Sequence, residues 1–65
     1  MNALLDLSKY GDSTHYIVIP KIRELTVALG SVVIIYDNGD RYTINTLHAG
    51  KIIKEISELI NDFYQ

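Results

Sequence analysis

The sequence predicts an α+β domain, a small antiparallel sheet of three to four strands joined by hairpins and packed on one C-terminal amphipathic helix. Three observations carry this expectation. β-Branched and aromatic residues concentrate at 15–19, 32–36 and 41–45, and 25–29 alternates at period two, the marks of strands. Asn38-Gly39 stands between two of these runs and is the dipeptide of tight hairpin turns. From 47 to 64 the apolar residues Ile52, Ile53, Ile56, Leu59, Ile60 and Phe63 recur along one helical face.

In chain order, Leu4, Leu5 and Leu7 follow Asn2, with Gly11 as a stop. The reading is one or two turns of helix, Leu4 and Leu7 sharing a face, laid across the open side of the sheet. Gly11 to Thr14 reads as a turn. The strand at 15–19 ends at Pro20 or lies at an edge, and 21–24 makes a short turn. Leu25, Val27 and Leu29 alternate with Thr26 and Ala28 before a turn at Gly30 and Ser31.

The run Val32 to Tyr36 is apolar at every position, as in a strand covered on both faces. After the hairpin, Tyr42 and Ile44 share one face and Arg41, Thr43 and Asn45 the other, a half-exposed strand. Thr46 is the expected N-cap of the helix. Gly50 in its first turn costs up to about 1 kcal/mol relative to alanine and hints at a close contact there.

This order of strand, proline turn, strand, glycine hairpin, a strand carrying Tyr42-x-Ile44 and a helix is similar to several short bacterial modules, the flagellar FlbD family among them. The likeness spans about Ile19 to Tyr64 and is one of pattern, because the short N-terminal strand motif of that family is missing.

With 65 residues the chain is read as one domain, 1–65, that buries only about 60% of its unfolded surface. It contains no cysteine, which removes disulfides and thiolate metal sites as sources of stability. A net charge of −2 gives no footprint for nucleic acid. No apolar run approaches the roughly 18 residues of a membrane span and no signal peptide is evident. The expected location is the cytoplasm, with no membrane partner.

No catalytic, metal-binding or cofactor-binding constellation is read from the residues. His15 beside Asp12 and Ser13 has the letters of a triad, but neighbours on one turn cannot easily take its geometry. Asp37, Asn38 and Asp40 lack the length and closing glutamate of a calcium loop. His48 and Lys51, at the helix start, are candidates for contacting an anion. Lys21, Arg23 and Arg41 would form a basic patch if the 21–24 turn lies near the hairpin.

One helix covers one sheet face, so the two-sided strands imply a second cover, and a homodimer is expected. Ile17 to Ile19 is the segment suspected of adding to another sheet edge. The interface candidates are Tyr16, Ile17, Ile19, Val33, Ile35, Tyr36, Arg41 and Tyr42, because tyrosine and apolar strand residues suit protein contacts. The functional expectation is a non-enzymatic interaction protein that binds and inhibits or adapts a macromolecular partner. In size and composition it resembles the small acidic proteins that phages and mobile elements use against host defence. The alternative is a dimer that holds a small anionic ligand, such as a nucleotide, between its subunits.

Overall fold

A computed structural model describes residues 3–11 and 15–65. Two antiparallel sheets and one α-helix make the fold of the described residues. The first sheet pairs β1 (Leu4–Asp6) with β2 (Tyr16–Val18), and the second has the order β3 (Ile22–Ala28), β4 (Ser31–Tyr36), β5 (Arg41–Asn45), followed by α1 (Ala49–Tyr64). The α+β class, the three-stranded hairpin sheet and the C-terminal helix agree with the sequence reading.

The N-terminal helix does not form. Leu4 and Asp6 are exposed while Leu5 and Leu7 are fully buried, the period-two pattern of a strand. The pairing Leu5↔Ile17, extended by Leu7 N–H to His15 O at 3.3 Å and Ile19 N–H to Ala3 O at 2.8 Å, settles the choice. Ser8–Tyr10 adds one 3₁₀ turn, ended by Gly11 at φ 97° with its N–H on Ser8 O. Asn2 and the Asp12 to Thr14 part of the expected turn lie outside the described residues.

Pro20 sits in a 3₁₀ turn at Ile19–Lys21 that ends β2. Of the expected turn at 21–24 only Lys21 lies in a turn, and Ile22 to Glu24 start β3. The register shifts between Ile22↔Tyr36 and Glu24↔Ile35, so a bulge at Arg23 puts both Ile22 and Leu25 on the inner face. Strict alternation could not reveal this phase change. Leu29 and Gly30 form the β3–β4 turn, with Gly30 at φ 76°.

The 37–40 hairpin is present, but not through positive φ at both central residues. Gly39 N–H donates to Tyr36 O at 3.0 Å and Tyr36 N–H to Asp40 O at 2.7 Å, with only Gly39 at positive φ, 92°. This is the three-residue loop closed by a glycine bulge. Asn38 contributes its side chain instead, accepting the Asp40 N–H at Oδ1 over 2.9 Å.

Helix α1 begins two residues later than expected. His48 is its N-cap residue and makes no side-chain cap, while Thr46 Oγ1 accepts the His48 N–H at 2.9 Å. Thr46 thus orders the turn that leads into the helix. Gly50 has open space where a Cβ would stand, so the close contact inferred from its presence is absent among the described residues.

The core lies between the three-stranded sheet and a second layer made of α1 and the β1–β2 hairpin side by side. Leu5, Leu7, Ile17 and Ile19 from the hairpin meet Val32, Ile34 and Ile44 from the sheet and Ile56 from α1. The N-terminal segment therefore lies on the helix side of the sheet, not across its other face.

That other face stays open. Across the strands Val33 lies between Thr26 and Thr43, and Ile35 between Glu24 and Arg41. Val33 is only 9% exposed and Ile35 half-buried. The threonine methyls and the stems of Glu24 and Arg41 shield a narrow apolar stripe. This face therefore does not by itself demand a second chain, contrary to expectation.

Candidate interaction surface

β1 and the last turns of α1 run past each other and leave a groove of about 480 Å³ lined by Leu4, Leu5, Ile19, Leu59, Phe63 and the polar residues Asp6, Lys9 and Asp62. Pairing with β2 turns Leu4 away from the core, since Leu5 takes the buried position. On α1, Ile56 is fully buried and Leu59 stands at the margin of the apolar face. Leu4 and Leu59 remain 45% and 44% exposed. The groove thus has apolar walls and a rim of two carboxylates and one ammonium. Lys9 Nζ is also 3.9 Å from Glu55 Oε1, which leaves the rim acidic on balance.

A second cleft, of about 200 Å³, lies between the 3₁₀ turn and the start of α1, lined by Lys9, Tyr10, His48, Lys51, Ile52 and Glu55. Both anion-site candidates are here, exposed, and Lys9 joins them. The Glu55 carboxylate is here too, accepting the Tyr10 hydroxyl at 3.0 Å. Burial, then that hydrogen bond and the carboxylate's charge, push the Tyr10 phenol up to about 12. A fixed carboxylate among the cations offsets their attraction for an anion.

The interface candidates separate. Ile17 and Ile19 belong to the chain's own core, so their side chains are spent on folding, and β2 gives one of its two edges to β1. Tyr36 and Tyr42 are half-buried against that core, and the His15 ring lies 4.6 Å from the Tyr42 ring. Burial, then the nearby Asp40, raises the Tyr36 phenol above its ordinary value. Tyr16 is 56% exposed on the outer side of the hairpin, Val33 and Ile35 form the narrow stripe, and Arg41 is exposed at its side.

The 21–24 segment does lie at the 37–40 hairpin, with Asp37 N–H donating to Lys21 O at 2.8 Å. Two of the three cations are matched, Lys21 with Asp37 at 3.9 Å and Arg23 with Glu24 at 3.7 Å, while Arg41 lies exposed beside Ile35. Among the described residues no group of three or more His, Asp or Glu could hold a metal ion, and no helix is long and apolar enough to cross a membrane.

Leu4, Leu59 and Phe63 were not among the interface candidates, because the sequence puts each on an apolar face that fits the core. Leu29 and Leu47 are also almost fully exposed, at 105% and 96%, at the end of the sheet. The sequence reading placed Leu29 in the strand at 25–29 and Leu47 at the helix start, but β3 stops at Ala28 and α1 begins at Ala49, which leaves both leucines in the connections. Compared with protein-family models, curated proteins and solved structures, the chain has no match in any of the three.

Proposed function

We propose that the chain is a non-enzymatic interaction protein of the cytoplasm. It acts as a homodimer and binds, and so inhibits or adapts, a larger protein through the groove between β1 and α1. The observation that supports this reading is the groove itself, where Leu4, Leu59 and Phe63 leave apolar surface uncovered beside Asp6 and Asp62. Exposed apolar surface rimmed by polar groups is the composition of a protein contact, in which an apolar anchor enters the centre and charges sort partners at the edge. The groove suits a segment with a bulky apolar side chain flanked by lysine or arginine.

The test is affinity capture from cells of the source, using the wild-type chain and Leu59→Asp, a substitution at a half-exposed position that leaves the core intact. The reading requires one protein held in stoichiometric amount by the wild type and lost with Leu59→Asp, whose melting temperature stays within a few degrees. If the variant captures the same proteins in the same amounts, the groove is not the binding surface.

A further inference from the structure

The three-stranded sheet ends on β3 and β5, and the two edges differ. β3 carries a bulge at Arg23, follows Pro20 closely and presents Arg23 and Glu24, devices that stop an edge from pairing further. β5 runs from Arg41 to Asn45 in unbroken register with β4, without proline, bulge or inward charge. It is the edge left able to accept another strand.

Its hydrogen-bonding groups can be assigned. Tyr36 N–H donates to Asp40 O and Thr46 N–H to Gly30 O, so close pairs fall at both ends of the β4–β5 ladder. Alternation between them turns the N–H and C=O of Tyr42 and Ile44 toward β4 and those of Arg41, Thr43 and Asn45 away from it. All three outward residues are exposed.

We infer that β5 pairs antiparallel with β5 of a second copy, about a two-fold axis through Thr43, to make one six-stranded sheet. The occupant is a second copy because the strand is complementary to itself in this register. Thr43 faces its own copy, Arg41 faces Asn45 of the partner subunit, and Tyr42 faces Ile44 of the partner subunit. Every outward N–H and C=O finds a partner, and no charge meets a like charge. A two-fold register that set Arg41 against itself would oppose two guanidinium groups. The open faces of both copies then join into one surface, which extends the stripe of Val33 and Ile35.

The inference rests on the homodimer in the proposed function and supplies its interface, independently of the groove. The test is solution mass by light scattering, diluting from about 1 mM to about 1 μM to span weak and moderate affinities. The expected result is twice the 7.4 kDa chain mass at the concentrated end, and one chain mass at every concentration for Thr43→Lys, which puts two ammonium groups at the axis. Thr43→Cys provides a second readout in a chain without cysteine. Facing Cα atoms in such a pair stand about 5.5 Å apart, within disulfide reach, so mild oxidation should link the copies, while Glu58→Cys on the exposed side of α1 should not link. A wild type of one chain mass throughout overturns both the dimer and its interface. A wild-type dimer that persists in Thr43→Lys, or a Thr43→Cys that links no better than Glu58→Cys, leaves the dimer standing and overturns the β5 interface.

Discussion

Replacing Gly50 by alanine should stabilise this protein, although a glycine in a first helical turn ordinarily signals a need for one. Gly50 is the second residue of α1, exposed, with no atom of the described residues within 4 Å of an added Cβ and no positive φ. The methyl therefore meets no obstacle, and the gain comes from the smaller conformational freedom of the unfolded chain. Mid-helix the exchange is worth about 0.8–1.0 kcal/mol, and near an end about half of that is a fair expectation. An unfolding entropy of about 2.1 cal/mol/K per residue over 65 residues is roughly 0.14 kcal/mol/K. A gain of about 0.4–0.5 kcal/mol then raises the melting temperature by about 3–4 °C. Thermal denaturation followed by circular dichroism measures this directly, and Gly39→Ala, at φ 92°, should move the opposite way. A lower melting temperature for Gly50→Ala would refute the reasoning. If that loss grew with protein concentration, a second molecule would be standing against the helix start.

Two further outcomes follow from the core and from the cleft beside α1. Ile56 is fully buried where α1 meets both sheets, so Ile56→Ala should cost about 2–5 kcal/mol. That is comparable to the roughly 3–10 kcal/mol a domain of this size commands, and urea unfolding should show the midpoint falling sharply or the transition vanishing. The folded Tyr10 phenol holds its proton to about 12 against an ordinary value of 10.0. Its contribution is whole below pH about 10 and is lost as pH rises toward about 12, because only the unfolded chain ionises in that window. Tyr10→Phe should flatten, without abolishing, the alkaline fall in melting temperature, since the Tyr36 phenol is also raised. An unchanged slope would mean that Tyr10 is as exposed in the folded chain as in the unfolded one.

The pattern of side chains was enough for β4, the 37–40 hairpin, β5 and α1, because each is a local element whose period or turn chemistry is written within a few residues. Ile44 and Ile56 lie on the apolar faces read for β5 and α1, whereas β4, apolar at every position, left open whether Val32 and Ile34 or Val33 and Ile35 face the core. The N-terminal segment was misread because Leu4, Leu5 and Leu7 satisfy helical and strand spacing alike over so short a run. Only pairing with Tyr16–Val18, a dozen residues on, selected the strand. The bulge at Arg23 escaped for the same reason, being defined by the neighbouring strand.

The candidate surface depended still more on the third dimension. Ile17 and Ile19 look as free as Leu4 in the sequence, yet the hairpin lies beside α1 and turns them into the core, leaving Leu4 with Leu59 at a groove. By itself the sequence determined which short elements form, since local sterics and hydrophobic period act between near neighbours. The tertiary structure alone decided which apolar residues are consumed by the fold and which remain on its surface. That choice depends on how distant elements cover one another, and no periodicity within a single element records it.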